Sequence, residues 1–260
     1  MNSLQQLLDI YIAHPCRTLP NAFWKTVAGW SEADLQVASD SAGVISSLAL
    51  WDSQRLMAFW CADPLYHPLT PEQIAQTSFA LVHADSLPVF SARDFSHRQA
   101  YFRLVNEGNP GVYPFPDRFT LKEVHPQEEV HAVVNLIRAC YESIKINTEI
   151  VHSWLKHPVY DPHLWVWVVD KESGAKAGLG IAERDPQVPE ASLEWIQVHP
   201  AYQNKGLGKA LVSELTRRAL SGVKFVTVSG EVNNVSQPEL LYRRCGFTGN
   251  DVWWLMHNDN

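Results

Sequence analysis

At 260 residues, 46% of them hydrophobic, the chain can bury a large core and is longer than one small α/β domain needs. A net charge of −7 and a pI near 5.9 disfavour nucleic acid and anionic membrane surfaces and would draw in a cationic partner. No apolar run approaches the roughly 18 residues of a membrane span, and the first residues lack the basic-then-apolar pattern of a signal peptide, so the expectation is a cytoplasmic protein without membrane or nucleic-acid partners.

The chain opens on an amphipathic helix over residues 4–13. Residues 44–51 and 55–61 read as strands joined by a short polar turn, and a helix at 71–83, a strand at 88–91 and a helix at 95–106 follow. The stretch 107–117, Glu-Gly-Asn-Pro-Gly-Val-Tyr-Pro-Phe-Pro-Asp, is dense in Pro and Gly. It reads as a linker between an N-terminal α/β domain at 1–106 and a second domain at 118–260. In the second domain, 119–124 is a strand, 127–141 a helix with Val130, Val133, Val134 and Ile137 on one face, and 148–156 a further helix. Residues 165–170, 177–184 and 191–198 then form a meander that turns at Glu172-Ser-Gly174 and in a Pro-rich loop at 185–189. The last strand is expected at 252–256.

The most informative segment begins at Glu194 and runs Glu-Trp-Ile-Gln-Val-His-Pro-Ala-Tyr-Gln-Asn-Lys-Gly-Leu-Gly-Lys to Lys209. It reads as a strand ended by Pro200, a tight loop, and a helix whose apolar positions Leu207, Ala210, Leu211, Leu215 and Ala219 recur at helical spacing. A helix start presents unpaired N–H groups and partial positive charge, and glycine there admits positive φ and close approach of a ligand, so the loop is a candidate anion cradle. Lys205 and Lys209 add full charges. A Walker-type loop would need Gly at 203 and Ser or Thr at 210, where Gln203 and Ala210 stand; a dinucleotide fingerprint from Gly206 would need Gly or Ala at 211, where Leu211 stands. Downstream, 224–230 is strand-like, Ser236-Gln-Pro-Glu239 has the form of a capping box, and a short helix at 237–245 carries Leu-Tyr-Arg-Arg-Cys-Gly-Phe, closed by Gly246.

Gln203-x-x-Gly206-x-Gly208 after a strand ending Val-x-Pro resembles the pyrophosphate loop of the GCN5-related N-acetyltransferases (GNAT family), and the segment 241–247 resembles that family's L-Y-x-x-x-G-F signature. The resemblance covers about residues 119–257. It implies an α/β fold with a mixed central sheet flanked by helices, to which an N-terminal α/β domain is added. The succession in residues 1–106 mimics the back half of such a domain without the glycine loop, so a degenerate copy and an unrelated α+β cap both stand open.

The resemblance also implies acetyl-CoA as acyl donor, a small-molecule or peptide amine as acceptor, and no metal. The cofactor set it implies is Ile196, Gln197 and Val198 through the strand backbone, and Gln203, Asn204, Lys205, Gly206, Leu207, Gly208 and Lys209 in the cradle. The family usually places an Asn where this chain has Val235, and neighbouring Asn234 or Asn233 is taken to fill the role. A lysine-like amine is protonated in all but about one molecule in a few thousand at pH 7, so a carboxylate or a water chain must take its proton. Glu194 is the candidate base, because alternation places it on the face of Ile196 and Val198 unless a bulge shifts the register. Tyr242, the tyrosine of the signature, is the implied proton donor to the departing thiolate. A backbone N–H on the strand is the expected support for the oxyanion.

Cys16, Cys61, Cys140 and Cys245 lack metal or redox spacing and suit a reducing compartment; His152, His157 and His163 lack any metal-site pattern. The runner-up reading is a CoA-binding regulatory module that keeps the cradle without turnover. The amine's identity and the oligomeric state are not legible.

Overall fold

The structure, a computed structural model, describes residues 3–27, 34–63, 67–141 and 144–258. Two compact units divide the chain: one comprises Met1–Val105, Ser229–Glu239 and Gly249–Asn260, the other Asn106–Val228 and Leu240–Thr248. The division therefore does not follow a single cut at 107–117. The C-terminal strand packs with the N-terminal residues, and 107–117 belongs with the second unit.

In the second unit, β6 (Phe119–Glu123), β7 (Tyr160–Asp170), β8 (Lys176–Arg184) and β9 (Glu190–Val198) form an antiparallel meander. β10 (Phe225–Glu231) then pairs parallel to β9 over Phe225 to Val228. A parallel pair needs a crossover, supplied by α7 (Leu207–Leu220). Helices cover both faces of this sheet, which is why Leu164 to Val169 form a continuous buried run rather than an alternating one. On one face Trp165, Trp167, Leu179 and Ile181 pack with Val133 and Ile137 of α5 (Pro126–Cys140) and Val151 of α6 (Thr148–Trp154). On the other, α7 lies close against Gly180, where a Cβ would come within 2.4 Å of Leu215 and 2.8 Å of Leu211.

β6 and β7 are tied by Arg118, whose Nε donates to both oxygens of wholly buried Asp170 at 3.1 Å and whose Nη2 donates at 2.5 Å. These bonds hold the Asp170 carboxyl well below the usual carboxylate range. A carboxyl with a lowered native pKa contributes stability that is complete above its unfolded value, near 3.9, and is lost as pH falls through the native value. Arg118→Gln should therefore lower the Tm most at neutral pH, and the wild-type and variant Tm curves should begin to converge only as pH falls below about 4. Parallel curves in a pH series of thermal melts would contradict this.

In the first unit, α1 (Ser3–Ala13), α2 (Pro15–Thr18) and α3 (Phe23–Val27) precede β1 (Leu35–Ser39), β2 (Ile45–Asp52) and β3 (Arg55–Cys61), an antiparallel meander. β3 then pairs parallel with β4 (Phe79–His83) across the short helix α4 (Pro71–Gln76). β11 (Thr248–His257) lies antiparallel to β4 and between it and β5 (His97–Asn106). Both units thus share one sequence of elements, a meander followed by a helix-bridged parallel pair.

Three N-terminal expectations are corrected. The helix expected over 71–83 stops at Gln76, because Thr77 turns to extended backbone and Phe79–His83 continues as β4. Residues 88–91 lie at the end of a 3₁₀ helix, Ala84–Phe90. The helix expected over 95–106 is β5, in which Ala100, Phe102 and Leu104 are buried at period two and buried Arg103 donates to the Tyr11 hydroxyl at 2.7 Å. The strand β1 and the short helices α2 and α3 were not anticipated.

Candidate functional site

β9 carries the irregularity that shapes the second unit's site. Its ladder with β8 pairs Ile181 with Trp195 and then Ala182 with Leu193, leaving Glu194 as the extra residue of a bulge. Ile196 and Val198 lie opposite Gly180 and Gly178, on the α7 face, while Trp195 and Gln197 lie opposite Ile181 and Leu179, on the α5/α6 face. Alternation counted from Ile196 therefore breaks at Glu194 itself. The parallel ladder with β10 ends at Leu193 and Val228, whereas pairing with β8 continues to Val198. Successive residues direct backbone groups to alternate edges, so part of 194–198 faces away from β8 beyond the end of the β10 ladder. An extended ligand can pair with that edge.

After β9 the chain makes a short 3₁₀ turn, Pro200–Tyr202, and the Gln203 amide donates to the Val198 carbonyl at 3.4 Å. Asn204 and Gly206 then take left-handed φ of +61° and +79°. Gly206 is the N-cap of α7, and no side chain caps this helix. Its first-turn N–H groups are thus left for another acceptor. A Cβ at Gly206 would meet no protein atom within 4 Å, so φ requires the glycine and the space before it is open. Lys205 lies 5.2 Å over the Tyr202 ring and Lys209 5.3 Å over Tyr113, beside the loop.

Leu241 of α8 (Pro238–Arg244) packs beside Gly208, with 3.5 Å to a Cβ there. Gly246 has φ +89°, and a Cβ on it would stand 2.1 Å from the Asn109 carbonyl, so the signature glycine is fixed by backbone approach. Segment 107–117 is strapped down here: the Asn106 amide bonds Asn109 and Cys245 carbonyls, Gly111 N–H donates to Cys245 O at 3.0 Å, and Ser213 donates to the Gly111 carbonyl. Buried Tyr242 sits edge-on to Phe247 at 5.8 Å. Burial first, then nearby Tyr141 and Cys245, push its phenol far above the ordinary range, and burial pushes the Cys245 thiol up to about 11.

From the other face, Cys140 reaches the Val198 carbonyl at 3.6 Å, and Tyr141 lies edge-on to Trp195 at 6.3 Å. Trp195 stacks on Trp154 at 5.3 Å. Tyr141 also lines an open cleft of about 490 Å³ with Arg138, Ile144, Lys145, Ile146 and Asn147. The expected specificity loop, 141–148, thus borders the site, although 142 and 143 lie outside the described residues. Sequence reading did not bring Tyr141 to Tyr242 or Trp154 to Trp195. The available signal was that Tyr141 extends the buried stripe of Val133, Val134 and Ile137 by one helical turn.

Asn233 and Asn234 belong to the segment that packs with the first unit. Asn234 Oδ1 accepts from the Ser236 N–H at 2.9 Å and its hydroxyl at 2.6 Å, and Asn233 is exposed. The hydroxyl expected to cap α8 is therefore bonded to Asn234, and the helix starts at Pro238, after Gln237 at φ +48°. A more enclosed pocket of about 280 Å³ lies in the first unit, lined by Lys25, Met57, Leu81, Tyr101, Trp253 and Leu255 among others, and holds none of the expected site residues. Among the described residues no group of His, Cys, Asp and Glu could hold a metal ion, and no helix is long and apolar enough to cross a membrane.

Residues 162–249 match the model of the acetyltransferase (GNAT) domain, a span that holds the bulge, the cradle and the signature helix together. Over that span the chain is similar to the GNAT domain. A search of curated proteins finds no match. Among solved structures the fold is similar to a GCN5-related N-acetyltransferase from Sphaerobacter thermophilus, at TM-score 0.65 and 14% identity over 90% of this chain and 82% of that one. It is equally similar to a GNAT-family acetyltransferase from Colwellia psychrerythraea, at TM-score 0.65 and 13% identity over 100% and 98%. A tandem GNAT protein from the clavulanic acid biosynthesis pathway matches at TM-score 0.55 and 16% identity over 99% and 95%. At these identities the likeness concerns the fold. Both units of the chain fall within it.

Proposed function

We propose that the protein is an acetyl-CoA-dependent N-acetyltransferase that transfers the acetyl group directly to a primary amine. The observation that carries this reading is the uncapped first turn of α7 behind a left-handed Gly206, next to a β9 edge that outlasts its β10 ladder. One anion site and one extended backbone edge, contiguous in the chain, fit a molecule with a pyrophosphate and an amide-bearing arm. Gln203 to Lys209 would hold the pyrophosphate and the backbone of Ile196 to Val198 the arm. Bound there, acetyl-CoA would supply a thioester whose C–S bond breaks as the amine's C–N bond forms.

The chain's own residues handle the protons. Glu194, or a water it orders, takes one from the acceptor's ammonium before attack. Tyr242 presents a neutral O–H at the end of the reaction, since burial keeps the phenol protonated at any working pH. A thiol, with pKa near 8.5, is a stronger acid than this phenol, so Tyr242 acts first as a hydrogen-bond donor to the thiolate and net transfer follows when the amine's second proton reaches it. Glu194→Gln should remove the acidic limb of the kcat/KM profile against pH; an unchanged limb would leave a water chain or another carboxylate as the base.

We read the first unit as a degenerate copy of the same fold. Its equivalent crossover helix, α4, is capped by Thr70 and Gln73 in a reciprocal box, with Thr70 N to Gln73 Oε1 at 2.9 Å and Gln73 N to Thr70 Oγ1 at 3.2 Å. Side chains thus close two N–H groups at the start of α4, whereas none caps α7. The four free cysteines suit a reducing cytoplasm. The experiment is thiol release from acetyl-CoA across a broad panel of primary amines, with calorimetric titration alongside. One CoA equivalent per chain and amine-dependent release are expected. Tight CoA binding without release against any amine would favour the regulatory module instead.

A further inference from the structure

Gln197 is 3% exposed, and neither its amide nitrogen nor its amide oxygen makes a hydrogen bond. An orphaned buried carboxamide is uncommon in a native protein and costly to keep. The β8 register puts it on the face of Trp195, two residues along the strand from the aromatic wall of Tyr141, Trp195 and Trp154. The Tyr141 hydroxyl lies within hydrogen-bonding influence of the amide, which draws the phenol down while burial pushes it up, and Tyr141 in turn stands near Tyr242. What converges here is a carboxamide and two hydroxyls, all neutral. Of the cations of the neighbouring cleft, Arg138 donates to the Ile146 carbonyl at 2.6 and 3.0 Å, and Lys145 is exposed to water.

We propose that Gln197 determines acceptor specificity, its carboxamide bonding an uncharged polar group, an amide or a hydroxyl, beside the amine of an aromatic or apolar acceptor. This rests on the transferase reading and names the class of amine that such an enzyme takes. A carboxylate in the same place would be buried without a countercharge. A hydrogen there would leave both ends of the amide unpaired, and a site built around a polar partner rejects analogues that lack it.

The test uses four amines with one body: phenylalaninamide, phenylalaninol, phenylalanine and phenethylamine. The amide and the alcohol should exceed the other two at least tenfold in kcat/KM. Gln197→Met keeps the shape and removes both polar atoms, so it should compress that preference to within threefold and raise the Tm of the ligand-free protein by roughly 2–4 °C. Calorimetry of the same amines on the CoA-loaded chain gives the ranking independently of turnover. Absent thiol release with the ranking intact would sink the transferase reading alone. A best response to the free acid, an unchanged ranking in Gln197→Met, or a lowered Tm would overturn the proposal.

Discussion

Gly206→Val is expected to abolish acetyl-CoA binding while leaving the chain folded. The intact protein should gain about 2.7 kcal/mol of stability at a hundredfold excess of ligand over its Kd, and the variant should gain none. The reason lies in two separable facts about one residue. Its φ of +79° is strained for any β-branched side chain, and the open space before it is where a pyrophosphate would come to rest against the α7 amides. The strain alone costs about 1–3 kcal/mol, less than the 5–15 kcal/mol that holds a typical domain together. A variant that melts cooperatively and still shifts with acetyl-CoA would remove the cradle from the account.

Tyr242→Phe should lower kcat by roughly ten- to a thousandfold and leave the affinity for acetyl-CoA within a few-fold of the wild type. Phenylalanine preserves the edge-on packing against Phe247 and removes only the O–H. The position is buried, and losing a hydroxyl there has no large packing consequence. If affinity and kcat fall together, Tyr242 is a binding or structural residue, and the proton must reach the thiolate by another route.

The second half of the chain was legible because two signals agreed. Helical spacing from Leu207 to Ala219 located α7, and the glycine loop before it had a physical reason to be there; each of the strands β6 to β10 fell within a few residues of its expected place. The first half offered only spacing, and spacing misread two of its strands as helix. Phe79–His83 is a five-residue apolar run that spacing alone cannot assign, and half of the ten residues of His97–Asn106 are polar, which leaves its alternation of Ala100, Phe102 and Leu104 faint in the sequence. The packing of β11 beside β4 joins Trp253 to His83, a long-range pairing with no local signature. The same limit applies at the site. A bulge at Glu194 was an open alternative that only the β8 register resolves, and the approach of Tyr141 to Tyr242 and Gln197 joins residues far apart in the chain. Gly246 shows the opposite case, a residue visible as part of a motif whose cause, the Asn109 carbonyl in the place of its Cβ, is visible only in three dimensions.

The most direct measurement is to follow the acetyl group itself. The protein is incubated with acetyl-CoA carrying a carbon-13 label in the acetyl group and with the amine panel, and the amines are analysed by mass spectrometry. The account predicts label on an amine nitrogen, in proportion to thiol released, lost in Gly206→Val and strongly slowed in Tyr242→Phe. Label that remains in the thioester or appears only as free acetate, with CoA bound at one equivalent per chain, would contradict it.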